Sequence, residues 1–524
     1  MSRFGGAALR RFATVLAARP AAELAFVAAL GAVQTLAFVA TAFWLVQFAA
    51  VALLAWRVGL ASPRRAAVLG LVFGTAWLCA GTWWLFVSLH RYGGLPAWLA
   101  VLAVAALSAL LSLYLAAAMA AAARWRGAGG PLGACVFAAA WLLAELARGV
   151  FFTGFPWLAT GYAYVDSPFA GFAPWVGVYG IGALVAGLAA WLGFSVTGTR
   201  GSRRAAIGIV VALLAGALLA RVDFTAPTRT LTVSLLQGNV PQDEKFSARF
   251  VPEALAGTAG QLEQARGELV VGPETVIPML PSQLDPAYLA AVFARFRQPG
   301  RAAILGIPMG DEDAGYTNSA LGISAASAAL PGGVYRYDKH HLVPFGEFVP
   351  TGFKWFTRLM NIPLGDFNRG PVTAPSFEVG GERVAPNICY EDLFGEELAA
   401  RFVPAATAPT ILANISNIGW FGDTIAIPQH LRISRMRSLE LQRPMIRATN
   451  TGATVVVDHR GAVTAELPPF VRGILEARVE GRSGVTPFAW WAGRLGLWPL
   501  WALALVVLLI LREPPPPRSR NRPA

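Results

Sequence analysis

Charge is what this 524-residue chain has least of. Only 14% of its residues are Asp, Glu, Lys or Arg, against 55% hydrophobic, where a soluble globular protein carries about a quarter charged. A single water-soluble fold is excluded. Cysteine is nearly absent: there are three, Cys79, Cys135 and Cys389. The first two lie in apolar runs, so the polar part of the chain has no disulfide framework. Lysine is the third scarcity. Of 43 basic residues only Lys245, Lys339 and Lys354 are lysines. What is abundant is arginine, and the formal net charge is +13, which alone would suggest a polyanionic partner. Its distribution argues otherwise. Residues 222–488 hold 26 of the 30 acidic and 23 of the 43 basic residues, a net of −3, and the apolar remainder carries +16. Nucleic acid is not an expected partner.

Apolar runs occur at about 21–39, 42–56, 67–87, 95–123, 133–147, 171–195, 205–220 and 495–511. Most are long enough to cross a hydrocarbon core of about 30 Å at roughly 1.5 Å per residue. Counting eight spans makes the arginines alternate. Arg3, Arg10, Arg11 and Arg19 precede the first span; Arg57, Arg64 and Arg65 follow the second; Arg124 and Arg126 follow the fourth; Arg200, Arg203 and Arg204 follow the sixth. Arg512, Arg518, Arg520 and Arg522 follow the eighth. The positive-inside rule then places both termini in the cytoplasm and residues 222–488 on the far side. The first run is too long, and too continuous with the second, for a cleavable signal peptide. The tail at 512–524, with four consecutive prolines from Pro514, reads as disordered.

The polar segment reads as α/β. Leu231, Val233 and Leu235 alternate with Thr230, Thr232 and Ser234, the period of a strand. Further strands are predicted at 269–271, 302–307, 384–388, 410–415 and 454–457, with helices at 286–297, 396–402 and 429–442. Alternating strands and helices predict a layered domain, and about 265 residues bury a full core.

Three segments stand at the ends of predicted strands, where α/β folds place their sites. They are Val270-Val271-Gly272-Pro273-Glu274, the stretch from Tyr337 through Lys339 to Glu347, and Asn387-Ile388-Cys389-Tyr390-Glu391-Asp392. A cysteine can be a small buried hydrophobe, a glutamate after a strand a solvated loop end, and a lysine a surface residue. A lysine kept in so arginine-rich a chain points instead to a site that needs a compact ammonium. Together the three residues make chemical sense. The carboxylate serves as general base, the ammonium stabilises an oxyanion and the thiol attacks an acyl carbon. His340 and His341 with His430 could suggest a metal, but adjacent histidines project differently and lack a ligand spacing. No metal or other cofactor is expected. Glu145 and Arg148, at membrane depth, read as a structural ion pair near the mouth of the site.

Glu, Lys and Cys in this order, with Pro273-Glu274 and Ile388-Cys389-Tyr390-Glu391, resemble the nitrilase superfamily of carbon–nitrogen hydrolases. The spans and the run from Lys339 to Pro350 sharpen the resemblance to its membrane-embedded branch, the apolipoprotein N-acyltransferases. Gly154-Phe155-Pro156-Trp157, Gln237-Gly238-Asn239-Val240-Pro241-Gln242, Asn414-Ile415-Ser416-Asn417, Trp420-Phe421-Gly422, Arg435-Met436-Arg437-Ser438-Leu439-Glu440 and Arg447-Ala448-Thr449-Asn450-Thr451-Gly452 extend it over nearly the whole chain.

The resemblance implies a nitrilase-like four-layer αββα sandwich inserted between transmembrane helices seven and eight of an eight-helix all-α membrane domain. The implied parts are a seven-helix membrane domain at 1–221, a periplasmic catalytic domain at 222–490 and the eighth helix at 491–511. The implied location is the bacterial inner membrane. Glu274 would be the general base, Lys339 the oxyanion-stabilising cation and Cys389 the nucleophile. Glu347 and Glu391 would support them, and Tyr390 and Trp420 would line the acyl or headgroup pocket. The donor would be a phospholipid and the acceptor a diacylglyceryl-modified apolipoprotein. Residues 353–360, rich in aromatic and aliphatic side chains, read either as a mobile, membrane-dipping lid or as an ordinary core helix. Two positions depart from the pattern: Phe246 stands where a tryptophan is expected, and Ile418-Gly419 where the family more often has an acidic residue and alanine. The rival enzyme is a membrane-tethered nitrilase-like amidase, which needs no eight spans. The non-enzymatic rival is a transporter or scaffold, which predicts repeats and polar residues along several spans.

Overall fold

The computed structural model describes residues 11, 14–16, 18–127, 129–196, 198–349 and 366–511. The candidate lid at 353–360, the third lysine, Lys354, and the tail at 512–524 lie outside the described residues.

Each apolar run is helical. The first seven form α1 (Pro20–Val33, continued by a 3-10 turn Gln34–Phe38), α2 (Trp44–Leu60), α3 (Pro63–Thr82), α4 (Ala97–Trp125), α5 (Gly130–Val150), α6 (Ala173–Ser195) and α7 (Thr199–Leu219). Prolines open α1 and α3, where a missing N–H costs nothing. The outer faces of α4 and α7 expose Val101, Leu102, Leu110, Leu113, Val210, Val211, Leu214 and Leu218. So much contiguous apolar surface needs lipid rather than water against it. Among the described residues six helices are long and apolar enough to cross a bilayer, which makes this a multi-pass membrane protein. The other two runs differ from the simple expectation. α2 has 17 residues, and the last run is a pair of helices, Pro487–Leu495 and Trp498–Leu511, bent by 90°. Gly496, with φ +56°, sits at that bend. Near the start of α1, the buried Glu23 carboxylate takes both Arg57, from the end of α2, and Arg65, from the start of α3. These three helix ends therefore lie together.

The polar half runs β1 (Thr225–Gln237), α8 (Val251–Gln264), β2 (Leu269–Val271), α9 (Pro286–Phe296), β3 (Ala302–Asp311), β4 (Gly315–Ser324) and β5 (Tyr335–Asp338). It continues with β6 (Phe377–Val379), β7 (Glu382–Ile388), α10 (Gly395–Ala400), β8 (Ile411–Ser416), α11 (Ala426–Leu441), β9 (Met445–Thr449), β10 (Thr454–Val457), β11 (Val463–Leu467) and β12 (Gly473–Gly484). α12 (Pro487–Leu495) and α13 (Trp498–Leu511) are the bent pair.

Two six-stranded sheets result, ordered β12-β1-β2-β3-β4-β5 and β11-β10-β9-β8-β7-β6. Side chains alternate across each strand, and the alternation decides the layers. Leu231, Val233, Leu269 and Val271 meet Val384, Ile388, Ile411 and Ala413 between the sheets. Val270, Ala303 and Leu305 face outward onto Leu262 of α8 and Phe296 of α9. On the other sheet Ala385, Leu412 and Met445 face Leu398 of α10 and Met436 of α11. The order is thus helix, sheet, sheet, helix. The last helical layer shares one core with Phe137, Trp141, Val178 and Ile181 of the membrane helices. Gln429 of α11 fastens this junction. Its Oε1 accepts from the indole N–H of Trp84 at 3.0 Å and of Trp157 at 2.8 Å, and its Nε2 donates to Gly81 O at 3.0 Å.

Candidate functional site

The turn after β2 presents Glu274. The chain crosses Gly306 so closely that a Cβ there would lie 2.4 Å from Pro273 O, so only glycine permits the crossing. Glu274 Oε1 accepts from Asn318 Nδ2 at 2.7 Å and from Lys339 Nζ at 3.4 Å; its Oε2 accepts from the Asn417 main-chain N–H at 2.9 Å. Lys339 follows β5, and its own N–H donates to Asn318 O on the neighbouring β4 at 2.8 Å. Its Nζ donates to Glu347 Oε1 at 2.8 Å. Glu347 also accepts from Asn318 Nδ2 at 2.7 Å and from Val343 N–H at 2.8 Å. Burial works against the Lys339 charge, but Glu347 and then Glu274 more than offset it and hold its pKa above the ordinary lysine value. Lys339 is a permanent cation here.

Cys389 follows β7 with φ +52°, a left-handed backbone that a non-glycine residue adopts at a cost and that tends to mark functional turns. The surroundings fix it there: its carbonyl accepts from His430 Nε2 and Asn414 Nδ2, each at 3.2 Å. Burial, and next the Glu274 carboxylate, push the thiol up to about 12, while Lys339 and Ser416 pull the other way. The resting thiol is therefore protonated and needs a base.

Glu391 ties the second and third segments together. Its carboxylate accepts from Ile388 N–H at 2.6 Å, His340 N–H at 2.7 Å, His341 N–H at 3.2 Å and the Tyr337 hydroxyl at 2.8 Å. Tyr390 turns the other way and donates its hydroxyl to Gly154 O at 2.9 Å. Gly154, with φ +81°, belongs to the loop after α5. Arg148 holds that loop by donating to Phe155 O at 3.1 Å and Trp157 O at 2.5 Å, and lies 3.8 Å from Glu145. The pair is thus a structural one beside the site. Trp420 stacks on Phe246 at 6.3 Å and meets Tyr92 edge-on at 5.7 Å. At position 246 phenylalanine keeps the stacking a tryptophan would give and supplies no N–H.

The histidines are engaged elsewhere. His340 bonds Gly370 O, His341 bonds Glu397 and Thr153 O, and His430 bonds Asp392. Among the described residues no three His, Cys, Asp or Glu form a metal-sized group.

All three segments meet, and residues the sequence reading passed over meet with them. Asn318 bridges Glu274 and Glu347 from a strand that carries no motif. Lys245 is buried and donates to Glu274 O at 2.8 Å; the scarcity that draws attention to Lys339 applied to it equally. Behind Cys389, Asp392 is held by His430 at 2.9 Å and Arg447 at 3.1 Å, and also by Ser434.

A thiol, a carboxylate and a fixed ammonium so arranged can attack a carbonyl, move the thiol proton and hold an oxyanion. Comparison with known proteins gives the family. The model of the apolipoprotein N-acyltransferase N-terminal domain matches residues 30–191, and that of carbon-nitrogen hydrolases matches residues 232–487. Apolipoprotein N-acyltransferase of Verminephrobacter eiseniae is 53% identical, over 87% of this chain and 89% of that one. Its namesake in Ralstonia nicotianae is 46% identical, over 94% of each. The carbon-nitrogen hydrolase structure from Helicobacter pylori G27 aligns at 17% identity and a TM-score of 0.35, over 52% of this chain and 94% of that one. On the identity and coverage of its curated relatives, the chain belongs to the apolipoprotein N-acyltransferase family.

Proposed function

We propose that the protein takes an acyl chain from a membrane phospholipid onto Cys389. It then passes the chain to the α-amino group of an N-terminal diacylglyceryl-cysteine, the final step of bacterial lipoprotein maturation. The observation that carries this reading is the meeting of the buried Glu274 and Lys339 with the half-buried Cys389 at the ends of two sheets, one of whose helical layers shares a core with membrane helices. Both substrates are lipids, so a site at bilayer level is what the chemistry needs.

In the first half-reaction Glu274 takes the thiol proton as Cys389 Sγ bonds to the ester carbonyl carbon. Lys339 holds the oxyanion. The C–O bond breaks, Glu274 returns the proton to the leaving oxygen, and a lysophospholipid departs. In the second, the amine attacks the thioester, Glu274 takes the ammonium proton, and the sulfur leaves as a thiol once that proton reaches it. Each half-reaction conserves protons, and the two require ping-pong order. Glu347 keeps Lys339 in place, Glu391 keeps the Lys339 and Cys389 segments in register, and Tyr390 and Trp420 line the pocket.

Residues 222–490 form the catalytic domain in this reading, facing the periplasm, with eight spans in the inner membrane and both termini in the cytoplasm. The arginine distribution and the shared end of α1, α2 and α3 support that orientation.

The test is direct. Purified protein in phospholipid vesicles should carry an acyl mass on the Cys389 peptide, and release more lysophospholipid when a diacylglyceryl peptide is added. Cys389→Ala should show neither; acyl transfer by that variant overturns the reading.

A further inference from the structure

The charges around the thiol do not balance. Glu274 and Glu347 bring two negative charges and Lys339 one positive, and moving the thiol proton to Glu274 leaves their sum at minus one. Two further carboxylates nearby have donors of their own. Glu391 is satisfied by three main-chain N–H groups and a tyrosine hydroxyl, and Asp392 by Arg447. A buried net charge in a low-dielectric site is costly.

Lys245 lies where the missing charge would be. It is 4% exposed, and among the described residues it forms no ion pair. Its ammonium donates to Glu274 O at 2.8 Å and stands 5.9 Å from the Phe246 ring. The hydrogen bond alone does not explain a lysine, because the Thr275 hydroxyl donates to the same carbonyl at 2.8 Å. We propose that Lys245 is a positioning residue whose charge neutralises the Glu274–Lys339–Glu347 cluster and eases ionisation of Cys389, while its hydrogen bond orients the Glu274 peptide. This deepens the acyltransferase reading and rests on it for the meaning of the site.

The groups that act on Lys245 are Glu274 and Cys389; Asp243 on its own loop is taken by Arg91 at 3.1 Å. Burial brings the Lys245 pKa down to about 8, with Glu274 and Cys389 opposing. The ammonium is charged at neutral pH and is lost above that value. The charge can therefore be switched off without mutation.

The test is alkylation of Cys389 by iodoacetamide in the full-length detergent-solubilised protein, read by mass spectrometry of its peptide from about pH 6.5 to 9.5. Lys245→Gln, which keeps a neutral donor, and Lys245→Met should both react about tenfold more slowly than wild type at pH 7. The gap should close above about pH 9 as wild-type Lys245 loses its proton. Lys245→Arg should hold its rate there and overtake wild type. A glutamine variant as fast as wild type, a deficit that does not change with pH, or an arginine variant with no alkaline advantage overturns the proposal. Thermal melts identify any variant that fails to fold, and the arginine variant alone still decides. Alkylation needs no lipid, so a protein that lacks acyl transfer fails the functional reading and leaves this result standing.

Discussion

Cys389 lies between two buried polar clusters built from the same kinds of residue. Behind its carbonyl, Asp392 is met by His430, Ser434 and Arg447. Before its thiol, Glu274 and Glu347 share Lys339 and Asn318. In the rear cluster one carboxylate has one guanidinium, and the planar fork of arginine suits a fixed partner. In the front cluster two carboxylates compete for one ammonium. The Glu274 contact, at 3.4 Å, is the longer of the two. The difference is one of pairing: the rear carboxylate has a guanidinium of its own, whereas Glu274 and Glu347 share the one ammonium within hydrogen-bond reach of their carboxylates. The rear cluster should therefore govern stability and the front one rate.

The largest effect expected is on rate. Glu274→Gln keeps the shape but cannot take a proton, so Cys389 thioester formation should fall about 10²- to 10⁴-fold. Its NH2 must face one of the donors that Glu274 now accepts from, so the melting temperature should fall, but by less than in a rear-cluster variant. A melting point that drops as far as that of a rear-cluster variant would erase the distinction. Next is Arg447→Met, which leaves Asp392 buried beside only a histidine and a serine. Breaking such a pair costs about 3–5 kcal/mol, visible as a large fall in the thermal melt. Thioester formation per folded molecule should stay within about tenfold of wild type.

The comparison sharpens with pH. Burial raises the pKa of Asp392, but His430 and Arg447 win and hold it below the ordinary aspartate value. A depressed carboxylate pKa stabilises the fold above the unfolded value and loses that contribution as pH falls through the folded one. The stability gap between wild type and Asp392→Asn should thus be full at neutral pH and close progressively below about pH 4. A gap that stays constant down to about pH 3 would mean that Asp392 acts by shape and not by charge. The smallest effect concerns the stacked pair of Phe246 and Trp420. Phe246→Trp retains the stacking on Trp420 and adds an indole N–H, so acyl transfer should change less than about threefold. A tenfold gain would show that the N–H itself is needed.

Much of this was legible in the chain. Apolar length gave the membrane helices, because no short-range signal is stronger than twenty residues without charge. Alternation in residues 230–236 gave an internal strand, and the ends of predicted strands gave the Glu274 and Cys389 segments. β4, β5, β6, β9, β11 and β12 were not anticipated. β12 alternates with Glu476, Arg478 and Glu480 on its exposed side, which resembles a solvated loop until it pairs with β1 in the register Leu231 to Val479. Asn318 carried no signal at all: a lone asparagine acquires meaning only from carboxylates that stand 44 and 29 residues away along the chain.

By itself the sequence determined the apolar runs, the spacing of the arginines among them and the candidates for thiol, base and cation. Those depend on composition and on local spacing, which a linear chain records. Only the tertiary structure decided how the charges balance. Which carboxylate shares which cation, that Lys245 faces Glu274, and that Gln429 is fastened to Trp84 and Trp157 depend on distances through space between residues that stand from 8 to 345 positions apart along the chain. Burial then makes each of those distances matter, because a low-dielectric interior penalises any charge or donor left without its partner.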